Sequence, residues 1–274
     1  MAPTPVALLI ALAAASGSAA APPGSGSVSS YHVASAAYGR ERLVWVRTPP
    51  HYDAKRADGY DLLIAFDGQT YQQELPLPRI LDSLEAAGRI APTLAVLIDN
   101  ASGAARLGDL ANQPRFVRFV ADELVPWVRR RWRVTANPHR VTLTGSSAGG
   151  LASAYLAFQR PDRFGRVLSQ SGAFWRGAAG SNDPPWESLT RQIAAAEKRD
   201  VTLLLDVGAL ETSGTLGGRA PSILEASRRL RDALQSKGYA VTYTEVEGGQ
   251  HNPADWARRL PVDLVTLNGR PEAR

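Results

Sequence analysis

Residues 140–150, Arg-Val-Thr-Leu-Thr-Gly-Ser-Ser-Ala-Gly-Gly, decide how the rest of the chain is read. Residues 140–144 read as a strand, and residues 148–159 (AGGLASAYLAFQ) as an alanine-rich helix. Between them, Gly145-x-Ser147-x-Gly149 reads as a sharp strand-to-helix turn. Such a turn holds its serine in a strained backbone conformation, and a side chain at either flanking glycine would collide with the neighbouring strand or helix. It also sets the serine at a helix N-terminus, where the dipole favours developing negative charge. Ser147 is therefore the candidate nucleophile. Ser146 falls at the wrong place in the pattern. The motif alone occurs by chance in Gly/Ser loops; the strand before it and the helix after it give it weight.

Working outward, strand-like and helix-like segments alternate from about residue 30. Residues 42–47 (RLVWVR) alternate polar and apolar side chains, as a partly exposed strand does. The short continuous apolar runs 61–66 (DLLIAF), 93–98 (TLAVLI) and 201–207 (VTLLLDV) read as buried strands, with further strands at 167–170 and 241–246. Helices are expected at 80–88, 115–131, 187–197 and 223–236, with Pro126 bending or interrupting the second. Strands separated by helices imply a mostly parallel sheet covered on both faces, the α/β class. Ligands in such sheets bind at the carboxyl ends of the strands. The loops carrying Ser147, Glu211 and His251 all follow strands on that edge.

A serine hydroxyl needs a neighbouring base. Of the four histidines, His32 and His51 come before the central sheet is complete. His139 starts the Ser147 strand and so belongs at the opposite end of the sheet. His251 follows the last strand in a Gly-rich loop and is the candidate base. The acid that orients it should lie between Ser147 and His251 in the chain. Glu211, just past the strand at 201–207, is favoured; Asp206, inside that strand, is the alternative. For an oxyanion the expected N–H donors are Ala148, next to the nucleophile, and Gln69, after the Asp67-Gly68 turn.

Composition bounds the remaining options. Hydrophobic residues make up 44% and charged residues 21% of 274, an ordinary globular balance that argues against disorder. There is no cysteine, which excludes disulfides, thiolate chemistry and cysteine-ligated metals. The net charge is +5, carried almost wholly by arginine. The densest cluster, Arg129-Arg130-Arg131-Trp132-Arg133, sits at a helix end, where cations complement the dipole. No nucleic-acid-binding pattern accompanies it, so no nucleic-acid partner is expected.

The N-terminus carries an apolar run of about ten residues, 6–15, too short to span a bilayer comfortably. Small residues follow, with Ser18 and Ala20 at the positions a signal peptidase reads. The expectation is a signal peptide over 1–20, a Pro/Gly/Ser-rich flexible lead-in over 21–35, and one catalytic domain over 36–274. An uncleaved anchor is the alternative, because residues 1–15 hold no Lys or Arg. The expected location is periplasmic or secreted, with no stable membrane insertion after cleavage.

Six blocks together resemble the putative-esterase branch of the α/β hydrolases, which includes the enterochelin (ferric siderophore) esterases. They are LLIAFDGQTY, GRIAPTLAVLIDN, FVADELVPWV, GSSAGGLASAYLAFQRPDRFGRVLSQSGAFW, LLLDVGALET and EGGQHNPADWARRL, within residues 40–262. The resemblance implies an α/β-hydrolase fold, carboxylic-ester hydrolysis on a small-molecule substrate, and neither metal nor cofactor. It maps the nucleophile to Ser147, the base to His251 and the acid position to Glu211. It also implies that Arg106 and Trp175 line the substrate pocket; a solvated surface arginine and a core aromatic are the competing readings. Cytoplasmic enterochelin esterases carry an extra N-terminal domain, and the resemblance here is to the compact periplasmic type. Siderophore-type polyesters are the leading substrate expectation. Feruloyl or acetyl-xylan esters, and acyl transfer to an alcohol, are the alternatives. A non-catalytic binding protein on this scaffold would be expected to have lost Ser147, its glycines or His251, and all are present.

Overall fold

Each apolar run read as a buried strand divides its side chains between two cores, as a period of two residues requires. In β3 (Asp61–Ala65), Leu62 and Ile64 enter one core while Leu63 and Ala65 enter the other. In β4 (Thr93–Ile98), Leu94, Val96 and Ile98 face the first core, and Ala95 and Leu97 the second. That arrangement is what a strand covered by helices on both sides needs. The computed structural model describes residues 25–100 and 103–269, so the expected signal peptide and residues 21–24 of the lead-in lie outside the described residues.

Eight strands among the described residues form one sheet in the order β1-β2-β4-β3-β5-β6-β7-β8. The remaining strands are β1 (Ser27–Ser35), β2 (Arg40–Thr48), β5 (Val141–Ser146), β6 (Arg166–Gln170), β7 (Thr202–Gly208) and β8 (Ala240–Val246). β1 and β2 pair antiparallel, as do β2 and β4; every other neighbour pair is parallel. The chain goes from β3 to β4 on one side and then returns to β5 on the other side of β3. Strand order therefore reverses beside β3, and a crevice opens at the carboxyl ends there. This is the mostly parallel α/β architecture expected from the strand and helix pattern, in the α/β-hydrolase form that the resemblance implied.

Helices fill both faces. On the second face lie α1 (Gly68–Gln73), α2 (Leu77–Ala86) and, from the end of the chain, the long helix Pro253–Asn268. Against the first core lie α3 (Gly103–Leu110), α4 (Pro114–Arg118), α5 (Val125–Arg131), α6 (Ala148–Gln159), α7 (Ser188–Ala195) and, past the four-residue turn α8 (Thr215–Gly218), α9 (Ile223–Ser236). The final helix is α10. α9 starts with a capping box, in which Ser222 and Glu225 satisfy each other's backbone N–H groups.

Two readings change, and the interruption expected at Pro126 takes a specific form. Residues 27–35 are strand, not flexible lead-in: nine residues pair with β2 from Ser27↔Thr48 to Ser35↔Arg40. Composition reports backbone freedom but not a pairing partner. Here Val33 enters the first core, and Tyr31 packs edge-on against Trp127 and Trp132. The helix expected over 115–131 is interrupted before Pro126, by a π turn over Phe119–Leu124. Pro126 has no N–H to give the preceding turn, and the Val125 N–H reaches back five residues to the Val120 carbonyl. Finally, α1, α3 and α10 were not expected. α10 carries a readable start signal: Asn252 caps the Asp255 N–H, Pro253 follows at the first turn, and Trp256, Leu260 and Leu264 recur every four residues on the buried face.

The antiparallel edge is tied to the helices by a buried cation. Arg47 on β2 is wholly inaccessible; its Nη1 donates to Glu85 Oε1 (2.7 Å) and the Thr93 carbonyl (2.8 Å), its Nη2 to Glu85 Oε2 (2.9 Å), and it also pairs with Asp82. Removing one partner of such a pair strands the other without solvation. Arg47→Ala is expected to lower the unfolding free energy by about 3–5 kcal/mol, read from urea midpoints. Asp82→Asn should cost clearly less, because Glu85 keeps its bidentate partner.

Candidate active site

β5 hands the chain to α6 through one residue, Ser147, with φ 56° and ψ −119°. A non-glycine residue stays in that region only where its surroundings hold it. Here its N–H donates to the Gln170 carbonyl (2.9 Å), and its carbonyl accepts from Ala173 N–H (2.9 Å) and Leu151 N–H (3.1 Å). The glycines make room for the turn. A Cβ on Gly145 would overlap the Gly149 backbone, and one on Gly150 would overlap Ser169 Oγ. Gly149 is less constrained than the motif suggests, since its Cβ would stand 3.2 Å from Asp67 Oδ2.

The side chains singled out after β5, β7 and β8 meet at this turn. His251 Nε2 lies 3.0 Å from Ser147 Oγ, and His251 Nδ1 lies 2.6 Å from Glu211 Oε2. Glu211 is buried, while His251 is 38% exposed at its side chain. The second Glu211 oxygen, Oε1, accepts from Ser171 Oγ (2.5 Å) and Gly208 N–H (2.8 Å). The other histidines stand elsewhere: His32 faces Glu41, His139 pairs with Asp200 at the surface, and His51 is exposed. The arrangement can take a proton from the serine hydroxyl and hold the resulting imidazolium against a carboxylate.

Ala148 and Gln69 occupy the first turns of α6 and α1, where backbone N–H groups have no acceptor within the helix. The loop carrying Gln69 is itself fixed. Asp67 sits at φ 54°, and its N–H donates to Asn100 Oδ1 (2.9 Å). Arg106 Nε and Nη2 grip its two carboxylate oxygens at 2.6 Å each. Behind Asn100, its amide donates to Asp109 Oδ2 (3.1 Å), which also takes Arg42 Nη2 (2.5 Å). Tyr38 donates to the same carboxylate at 2.5 Å, and burial with that bond pushes its hydroxyl up to about 12.

A cavity of about 710 Å³ opens over Ser147 and His251. Its apolar wall includes Trp175, Leu210 and Ile223, and its cation is Arg176. The Arg176 guanidinium lies 4.7 Å from the Trp175 ring centre and donates to the Gly180 carbonyl (2.9 Å) and Asn182 Oδ1 (2.8 Å). Burial, with repulsion from Arg106, lowers its proton affinity. Trp175 thus stands in the cavity wall. Arg106 stands on Asp67 instead and is not among the wall residues. Arg176 escaped the sequence reading, although it directly follows Trp175 in the loop after β6. Among the described residues no cluster of His, Asp and Glu could hold a metal ion, and no helix is long and apolar enough to cross a membrane.

With that geometry in hand, the chain can be set beside known proteins. The family model described as putative esterase matches residues 35–267. An iron(III) enterobactin esterase of Dickeya dadantii is 33% identical over 232 residues, covering 79% of this chain and 49% of its own length. The chain thus spans about half the length of that relative. The enterobactin esterase of Shigella flexneri, solved in the presence of enterobactin, superposes with a TM-score of 0.75 at 26% identity, covering 88% of this chain and 59% of that one. A feruloyl esterase module of Clostridium thermocellum shares the fold, with a TM-score of 0.68 at 16% identity, covering 89% of this chain and 88% of that one.

The alternative acid, Asp206, has other partners. It is hydrogen-bonded to the Asp263 carboxyl from α10, and Gln170 Nε2 approaches both, at 3.4 and 3.3 Å. Burial raises both carboxyls above the ordinary aspartate range, Asp206 the more, so the pair keeps a proton between them. The folded state then binds that proton more tightly than the unfolded chain. Its contribution to stability is whole below the ordinary range and falls as pH rises toward the folded-state value. Asp263→Asn puts a permanent amide donor in the proton's place. Melts between about pH 5 and about pH 8 should show a flatter stability profile than wild type, with the variant gaining toward the alkaline end. An unchanged slope would count against the shared proton.

Proposed function

The chain belongs to the putative esterase family, and on that premise we propose that it is a serine carboxylic-ester hydrolase working through Ser147, His251 and Glu211. The observation that carries this reading is the unbroken line from Ser147 Oγ through His251 to Glu211, at 3.0 and 2.6 Å. His251 Nε2 takes the Ser147 proton as Oγ attacks the ester carbonyl. The backbone N–H groups of Ala148 and Gln69 hold the oxyanion, each free of an intrahelical partner. His251 then gives its proton to the departing alcohol, leaving the acyl group on Ser147. Water, deprotonated by the same imidazole, releases the acid and restores the hydroxyl. Glu211 keeps the Nδ1 proton in place and balances the imidazolium charge.

The acyl or alcohol portion occupies the cavity beside Trp175 and Arg176. An aromatic wall with a cation stacked on it favours an aromatic, anionic group. That suits a siderophore-type catecholate polyester, in line with the enterobactin esterases it resembles. Arg106 acts on this reading through Asp67, by bracing the loop that carries Gln69, and adds positive potential near Arg176. Residues 1–20 act as a signal peptide and deliver the protein outside the cytoplasm. A feruloyl ester is the second substrate reading, favoured by the same aromatic wall.

Ser147→Ala is expected to abolish turnover of a p-nitrophenyl ester and labelling by a fluorophosphonate; retained turnover overturns the mechanism. Glu211→Gln, which disturbs the imidazole tautomer, should lower kcat by up to about 10⁴-fold with the fold intact. A panel of a cyclic tri-catecholate ester, methyl ferulate and acetylated xylan decides the substrate. The siderophore reading requires the highest kcat/KM on the first, and a loss of that preference in Arg176→Gln.

A further inference from the structure

We propose that Trp256, acting through Ser171, sets the direction of the hydrogen-bond chain that ends at Ser147. The inference rests on the Ser147–His251–Glu211 reading above and concerns how that set is held. Trp256 lies on the buried face of α10, five residues past His251. Its indole Nε1–H stands 3.0 Å from Ser171 Oγ, both groups buried. An indole N–H can only donate. Ser171 Oγ therefore accepts from Trp256, and its single proton goes to its other partner, Glu211 Oε1, at 2.5 Å. Gly208 N–H supplies that same oxygen with a second donor at 2.8 Å.

Direction then propagates. With two donors taken up by Oε1, Glu211 presents Oε2 as a further acceptor. Among the described residues the partner at Oε2 is His251 Nδ1, which carries the proton in this arrangement. His251 Nε2 is left with its lone pair facing Ser147 Oγ. The tautomer that can act as a base thus follows from a donor-only group three bonds away. Without the indole N–H, Ser171 Oγ can rotate and offer lone pairs to Glu211 instead of a proton.

The same indole also touches the base directly. The Trp256 and His251 rings pack edge to face, with centres 5.0 Å apart and planes at 88°. His251 is otherwise a partly exposed loop residue, and this ring contact restrains its tilt. The strut is fixed from both sides. Gln170 Nε2 donates to the Trp256 carbonyl (3.0 Å), and Ser171, at φ 48°, has its own N–H bonded to the Asp206 carbonyl (2.8 Å). Neither Trp256 nor Ser171 touches the reacting atoms, so both are positioning residues.

The test uses the full chain with Trp256→Phe, Ser171→Ala and the double variant. Trp256→Phe keeps an aromatic ring beside His251 and removes the N–H together with the pyrrole part of the indole, whereas Ser171→Ala leaves the indole in place. Each single variant should lower kcat by about 10- to 100-fold, the scale on which outer-shell partners of a histidine act, with KM little changed. Because both act along one chain, the double variant should be no slower than the slower single variant. The proton on His251 Nδ1 should give a low-field resonance in the wild type, absent in Glu211→Gln, and displaced or broadened in both single variants while circular dichroism is unchanged. Wild-type kcat with an undisturbed resonance in Ser171→Ala, the smaller change, overturns the proposal even if Trp256→Phe folds poorly. Additive losses in the double variant, with the resonance in place, overturn it equally. Activity surviving in Ser147→Ala would sink the triad reading itself, whereas a dead Ser147→Ala beside fully active Trp256 and Ser171 variants would sink this inference alone.

Discussion

The close approach of β5 to α6 governs everything built around it. The chain reverses from strand to helix within one residue, and the Gly145 and Gly149 backbones come too near for a side chain at Gly145. The unfavourable conformation at Ser147 persists because two backbone bonds clamp it to the end of β6, from Gln170 and Ala173. Ser147 is thereby locked to the loop that also carries Ser171 and Trp175. Strand order reverses beside β3, so the loop bearing Asp67 and Gln69 faces the same point. Elements distant in sequence share one small volume because the sheet edge leaves them no other place.

A second constraint is ionic and lies beneath the β3 loop. Arg42, Asp109, Asn100, Asp67 and Arg106 form a mostly buried chain of hydrogen bonds from β2 to the turn before α1, charge-assisted except where the Asp67 N–H donates to the Asn100 amide oxygen. Each member satisfies the next, which is the condition under which buried charge is tolerated. Such a chain contributes little net stability against well-packed apolar groups. Its effect is geometric: Asp67 holds a left-handed backbone that places Gly68 against β4 and leaves the α1 N–H groups open.

Patterns local in sequence were legible, and those made by distant partners were not. β4, α6 and α9 were read to the residue, because their period and caps lie within the segments themselves. So did the elbow around Ser147, since glycine spacing and helix onset are local. Chain order points to His251 and Glu211, and the parallel topology brings both within hydrogen-bond distance of one another beside Ser147. β1 was missed because nothing in SVSSYHVAS announces that β2 will pair with it along its whole length. Arg106 was read as a pocket residue and lies on Asp67, a partner 39 residues earlier. Ser171 and Arg176 were passed over because their importance comes from what reaches them across the fold: Glu211 and Trp256 in one case, the cavity wall in the other.

The separation of Ser147 from His251, 104 residues, has a consequence in time. A chain made from its N-terminus completes β3, β4, β5 and α6 while β7, β8 and α10 are still to come. The strained serine turn can form as soon as β6 is present to clamp it. Glu211 arrives later, and His251 and Trp256 only with the last described strand and helix. Until then no imidazole stands beside the Ser147 hydroxyl, which on the proposed mechanism leaves it without a base. On that mechanism, order of appearance along the chain acts as a safety catch, arming the serine only when the sheet around it is complete.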